Sequence, residues 1–478
     1  MFFILAGVAP LTSIAGVVPE AYAVTGLTSV PAAFLVIAVV LCVFAVGYVA
    51  MAQRIPNAGA FYAFISQGLG KPLGVGGALI AVVAYNLLQV GIYGMIGPFM
   101  ADFAKDNFDV NAPWGVWAFG TWALVTILGL VRVDLSGKLL GVLSVIELLI
   151  IVALSFRGLS HPAPGGVSLK ELSPTSLHLA GLGAVLAVAV LGFTGFEQAP
   201  VFSEEARDPR RTVPMATFVS LGVIAVVYSA AALAMNAYYG DQVVATAQNE
   251  SSTMLFAMAP GFLAHLGRTL FVTSLFAAAL AFHNAVGRYM WALGRERVLP
   301  SVMGTTASNG VPRAASITQS VLGAVAILLA LTFHWDPMGQ LFFWGGTTGG
   351  FGVLLLLMTT SAAVVRYFFK RPDGENVWRR MVAPSVSVVV LAVIAGLCVY
   401  YYDVLLGIPS GSWPTVLLPG MYGAAAVIGI VWALTLKRIE PQAYSAIGLG
   451  SAATLVRTAG SFAAVADATP ATADGGAR

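Results

Sequence analysis

The chain has 478 residues, a formal net charge of +3, 58% hydrophobic residues and only 9% charged ones. Soluble globular chains average about 25% charged residues, so a water-soluble globule, which needs a polar surface, is excluded. The apolar residues gather into runs of about 20, long enough to cross a hydrocarbon core about 30 Å thick; such runs must be helices, because lipid satisfies no backbone polar group, and the short alternating strands of a β-barrel do not occur.

Twelve spans are predicted, over residues 2–24, 32–52, 74–102, 114–131, 135–156, 179–202, 215–238, 266–293, 314–333, 338–367, 382–402 and 414–436. The first residues are apolar with no basic n-region, so no cleaved signal peptide is expected. Orientation follows from the basic residues. With the N-terminus in the cytoplasm, only Lys105, Arg157, Lys170 and Arg268 fall outside, and the other 20 of the 24 Lys and Arg fall inside. Both termini are therefore expected in the cytoplasm, with the plasma membrane as the location. The two cysteines, Cys42 and Cys398, lie in apolar runs and read as packing residues. The outer connection 240–265 is long and holds an amphipathic stretch at 252–263, read as a plain loop cap or a short lid helix.

Two spans are interrupted. Span 1 carries Pro10, the pair Thr12-Ser13, Gly16 and Pro19 at mid-membrane; span 6 carries Gly192-Phe193-Thr194-Gly195-Phe196-Glu197-Gln198-Ala199-Pro200. Proline removes a helix hydrogen bond and clashes with the preceding turn. Spans 1 and 6 are the first members of two sets of five, and interruptions at matching places in two halves point to a transporter's binding site. Helix ends at such breaks offer N–H groups at a positive pole and C=O groups at a negative one, which suits a zwitterion. The N–H groups near Thr12, Ser13 and Ile14 are expected to meet its carboxylate and the carbonyls near Phe193, Thr194 and Gly195 its ammonium, with Ala15 and Gly16 also counted among the substrate-binding residues. Tyr85 and Gln89 of span 3 share a face at i, i+4 and are expected either to line the cavity or to bond between helices.

Two carboxylates within the spans, Glu147 and Glu197, are read as functional candidates; Glu20, near the outer mouth, is assigned no role. Glu147 lies among Leu143-Ser144-Val145-Ile146 and Leu148-Leu149-Ile150. A carboxylate at that depth is costly and marks function by default: a proton carrier, a cation ligand, a partner for an amine, or a protonated glutamate bonded inside the bundle. Glu197 follows the span 6 break, placed either to brace the unwound segment or to take part in proton linkage. No metal site and no cofactor are expected, and Gly-x-x-x-x-Gly-Lys-(Ser/Thr), the phosphate loop, is not found in the sequence. The histidines are scattered, which argues against an integral-membrane enzyme, and no nucleic-acid partner is expected.

Four segments resemble the amino acid–polyamine–organocation (APC) permease superfamily: the broken span 1 ending Val17-Val18-Pro19; Arg54-Ile55-Pro56-Asn57-Ala58-Gly59-Ala60-Phe61-Tyr62 with the glycine-rich run to Gly74; residues 192–214, similar to the Phe-x-Gly-Phe-Glu, Glu-Glu, Asn/Asp-Pro-x-Arg and Pro pattern; and residues 288–300, which resemble the Arg-x-x-x-x-(Ala/Gly)-Arg-(Asp/Glu)-x-x-Leu-Pro end of span 8. The resemblance implies an all-α polytopic protein of the leucine-transporter type. Its 5 + 5 inverted repeat would span residues 1–367, with two added helices over 368–440 and a disordered cytoplasmic tail over 441–478. It implies a permease of amino acids working by alternating access, as proton symport or exchange, with polyamine or other amine transport as the alternative. Two departures stand out. Thr12-Ser13-Ile14 replaces the frequent Gly-(Ser/Ala)-Gly of the first break, and Glu147 aligns with a lysine that some members place where others hold sodium.

Overall fold

The computed structural model describes residues 9–55, 57–131, 133–177, 179–205, 208–308, 310–372, 374–450 and 453. Among them, ten helical stretches are long and apolar enough to cross a membrane. The shorter apolar helix Trp114–Gly129 and the interrupted helix of span 1 bring the spans to twelve. Span 1 comprises Pro10–Thr12, Ser13–Val17 and Val18–Thr25. Spans 2 to 5 are Val30–Ala52, Lys71–Phe108, Trp114–Gly129 and Val133–Ser160. Span 6 runs from Leu179–Phe193 into Phe196–Glu205. Spans 7 to 9 are Pro209–Tyr239, Phe262–Arg295 and Arg313–Thr332. Span 10 joins Pro337–Trp344 to Gly345–Lys370, span 11 joins Trp378–Val382 to Ala383–Tyr400, and span 12 is Pro414–Ile439.

Packing repeats with an offset of five. Span 1 packs on span 6, span 2 on span 7, span 3 on span 8 and span 4 on span 9. This pairing places the two interrupted helices side by side at the centre. Spans 9, 11 and 12 turn rows of large apolar side chains outward, among them Val321, Val325, Val389, Val393, Val427 and Val431. Exposed apolar surface on that scale marks a membrane protein. The glycines of Trp344-Gly345-Gly346-Thr347-Thr348-Gly349-Gly350 serve close approach: a Cβ on Gly349 would sit 2.7 Å from Leu88 Cγ and 2.9 Å from the Ala84 carbonyl oxygen.

Outside the spans, the long connection after span 7 forms the helices Val243–Glu250 and Met254–Ala257. The first packs on Val18–Thr25, and Gln248 Nε2 donates to the Ala23 carbonyl at 3.1 Å, so this segment covers the C-terminal half of span 1. At the opposite face, Pro441–Ala446 is helical, and residues 447–450 turn back over Glu296. The Gly448 and Gly450 N–H groups donate to the buried Glu296 carboxylate at 2.5 and 2.7 Å, joined by the Tyr62 hydroxyl at 2.6 Å and Asn57 Nδ2 at 3.3 Å. Both glycines have positive φ, 78° and 60°, so their successive N–H groups converge on one anion. The first ten residues of the expected disordered tail are therefore ordered, because they supply donors to a buried carboxylate; with the exception of Ala453, the remainder of 451–478 lies outside the described residues.

Candidate functional site

Where spans 1, 3, 6, 8 and 10 converge, a cavity of about 40 Å³ is enclosed. Span 1 offers it Ala9, Thr12, Ser13 and Val17, and span 6 offers Leu191 and Thr194. Leu88, Gly91 and Ile92 of span 3, Ala278 and Phe282 of span 8, and Phe342 and Gly346 of span 10 complete the wall. The hydroxyls cluster on the interrupted helices and the other walls are apolar.

The interruption of span 1 has two parts. Ala9 is left-handed, with φ 42° and ψ 71°, directly before Pro10, a combination that stores strain of about 1–3 kcal/mol. Residues Ser13–Val17 then form a π-turn. The break expected at 12–16 therefore opens at Ala9–Pro10, and the N–H groups freed by that helix start belong to Leu11 and Thr12. Neither faces the cavity. The Leu11 N–H donates to the Glu147 carboxylate, and the Thr12 N–H donates to Ser274 Oγ at 3.2 Å. Thr12 Oγ1 lies 3.0 Å from the same Ser274 oxygen, which in turn donates to Glu147 Oε2 at 2.8 Å. Glu147, buried on span 5, thus ties span 1 to span 8. Ile14, Ala15 and Gly16 are buried beside the cavity without lining it; a Cβ on Gly16 would meet Met95 Cε and Phe342 Cζ at 2.9 Å.

The interruption of span 6 is closed locally. The helix ends at Phe193, and the Thr194 N–H and hydroxyl both donate to the Leu191 carbonyl, at 3.1 and 2.7 Å. Gly195 takes φ 115°, a region open mainly to glycine. Glu197 folds back on this turn, accepting the Gly195 N–H at 2.8 Å and the Tyr85 hydroxyl at 2.9 Å, while its carbonyl accepts the Tyr48 hydroxyl at 2.6 Å. Phe193 packs against Phe34 and Tyr228. Of the three residues expected at this break, Thr194 lines the cavity and Phe193 and Gly195 do not.

Tyr85 and Gln89 also lie outside the cavity wall, which takes Leu88, Gly91 and Ile92 instead. Gln89 donates to Tyr93 Oη at 2.8 Å and accepts from Gln319 of span 9 at 2.5 Å, so it bonds between helices. Tyr85 belongs with Tyr48, Tyr62 and Tyr289, all fully buried, in a plug between the cavity and Glu296. The Tyr289 hydroxyl accepts the Tyr62 N–H at 3.1 Å, and Tyr62 bonds Glu296. Tyrosines thus fill the bundle on this side of the cavity, and the 243–257 segment packs on span 1 at the other.

Sequence reasoning left two residues without a role. Ser274 shares a face with Ala278 and Phe282 at i, i+4, i+8, a stripe that places it on the cavity side of span 8. Glu20, one turn beyond Val17, is buried, accepts only the Thr347 hydroxyl at 3.3 Å on Oε1, and has no hydrogen-bond partner for Oε2 among the described residues.

Interrupted helices meeting at a mid-bundle cavity are the arrangement of a membrane transporter. Residues 1–433 match the family described as amino acid permease, and the chain belongs to that family. It is 24% identical over 319 residues to the low-affinity putrescine importer PlaP of Escherichia coli K12, covering 65% of this chain and 69% of the relative. It is 24% identical over 340 residues to the branched-chain amino acid permease BcaP of Lactococcus lactis, covering 64% and 69%. Over 147 residues it is 29% identical to a cadaverine/lysine antiporter of Escherichia coli, covering 29% and 32%. The chain is a multi-pass membrane permease for small solutes of amino acid or amine type.

Proposed function

We propose that this permease carries amino acids into the cell across the plasma membrane by alternating access, coupled to a proton carried by Glu147. The observation that carries the reading is the meeting of two interrupted helices, through Thr12, Ser13 and Thr194, at one cavity. A zwitterion suits them: its carboxylate takes the hydroxyls at the positive end of span 1, and its ammonium the carbonyl end of span 6. Ligand sites hold about 300 Å³ or more, so a cavity of about 40 Å³ fits a closed state. Leu191, Phe282 and Phe342 must swing aside to admit a solute.

Glu147 is suited to coupling by what it holds. As an anion it accepts from Leu11 N–H and Ser274 Oγ, fixing span 1 to spans 5 and 8. Protonation turns one of its oxygens from acceptor to donor, loosening span 1 from that anchor. A proton arriving from outside therefore favours movement of span 1, and its release inside restores the anchor.

The test is uptake into proteoliposomes of a panel of labelled amino acids, with and without an inward proton gradient. Absence of uptake and exchange for every amino acid sinks the reading. Glu147→Gln is expected to exchange substrate but not to accumulate it; accumulation driven by pH at the wild-type level removes Glu147 from the proton path. A second reading, uptake of an organic amine, is favoured by the half-partnered Glu20 of span 1.

A further inference from the structure

We infer that Glu20 forms a subsite for an ammonium group at the far end of the substrate, so that this permease selects solutes with an aliphatic chain ending in an amine. The inference rests on the reading of the central cavity as the solute site. Ala9, Thr12, Ser13 and Val17 line that cavity from span 1, and Glu20 continues the same face three residues beyond Val17, about 5 Å further along the axis. From span 10, Gly346 lines the cavity, and the next residue, Thr347, donates to Glu20 Oε1. Glu20 is not one of the lining residues; its partner Thr347 lines, with Leu191, an adjoining space, so the carboxyl group sits one turn beyond the cavity.

What Glu20 lacks is as telling as where it sits. It is 1% exposed, and Oε2 has no partner among the described residues. A carboxylate so placed has a strong unmet demand for a donor or a cation. Val17, Leu191, Ile92 and Phe342 give the cavity hydrocarbon walls beside the hydroxyls of Ser13 and Thr194. A carboxyl group one turn beyond such a cavity matches a solute with a polar head, a methylene chain and a terminal ammonium. A cationic amino acid and a diamine share that ammonium and differ at the head.

Three probes separate these features in proteoliposomes holding the full-length protein. Norleucine is lysine without the terminal amine, and cadaverine is lysine without the carboxylate. Wild-type protein is expected to take lysine or cadaverine with at least about tenfold higher apparent affinity than norleucine, the scale on which a buried charge pair acts. Cadaverine above lysine assigns the head to a diamine, and lysine above cadaverine to an amino acid. Glu20→Gln is expected to abolish the preference for the amines over norleucine, while Glu20→Asp, which keeps the charge, retains a preference. Wild-type protein that takes norleucine as well as lysine and cadaverine overturns the inference, and so does a preference that survives in Glu20→Gln or vanishes in Glu20→Asp. Transport of norleucine with no preference for amines removes the Glu20 subsite alone; failure of all three probes together with the amino acid panel removes the solute reading itself.

Discussion

The interruptions of spans 1 and 6 occupy matching places in the two halves, yet they are closed by different means. In span 6 the carboxylate that satisfies the break, Glu197, stands two residues from the N–H it accepts, at Gly195. In span 1 the carboxylate comes from span 5, 136 positions away in sequence from Leu11, with Ser274 of span 8 as intermediary. A local closure moves with its own helix and holds its shape throughout a transport cycle. A closure assembled from three helices opens when any one of them moves. On the function proposed above, the difference separates a brace from a switch, although both are buried glutamates beside a broken helix.

Four changes press on that distinction. Glu197→Ala is expected to act most strongly, since it leaves the Gly195 N–H and the Tyr85 hydroxyl without their acceptor, at about 1–3 kcal/mol for each orphaned group. All transport should be lost and the unfolding midpoint in detergent should fall; a wild-type midpoint with active uptake means that Glu197 is not a brace. Gly195→Ala places a Cβ at φ 115° and should cost about 1–3 kcal/mol, seen as a smaller fall in the same midpoint. Glu147→Gln keeps a side chain of the same shape with one acceptor oxygen, so the midpoint should stay near wild type while accumulation is lost. A fall as large as that of Glu197→Ala makes Glu147 a brace as well. Ser274→Ala removes one link between Thr12 and Glu147 and should slow uptake by no more than about tenfold, the scale of a single net hydrogen bond. Complete loss of transport assigns the serine to the solute or the ion itself.

The number of spans and which two of them are interrupted were legible in the sequence, because each depends on local properties: apolar run length, and proline or glycine within it. The atoms left free at each interruption were not. Thr12-Ser13-Ile14 reads as a run of available N–H groups, but which of them face the solute depends on Glu147 and Ser274, brought together only by tertiary packing. The same holds for Tyr85 and Gln89, whose i, i+4 spacing establishes a shared face without saying which neighbour it meets. Gln319 and Glu197 claim them, one helical position away from the cavity-lining Leu88 and Ile92. Glu20 was visible as a carboxylate near a span end, but its missing partner is a fact of packing. The spacing Gly448-x-Gly450, just after a short helix start at Pro441, was the one sequence signal for the ordered tail.

That tail has a consequence for how the protein is made. Glu296 and the segment holding Asn57 and Tyr62 leave the ribosome long before the residues that complete their hydrogen bonds. Until Gly448 and Gly450 are synthesised, this carboxylate lacks two of its four donors, even with eight spans already in place. Residues 448–450 thus seal a surface begun by the segment that follows the second span. A chain stopped at Ile439 contains all twelve of the described spans and still leaves that surface unfinished, so synthesis beyond span 12 is itself a step in assembly.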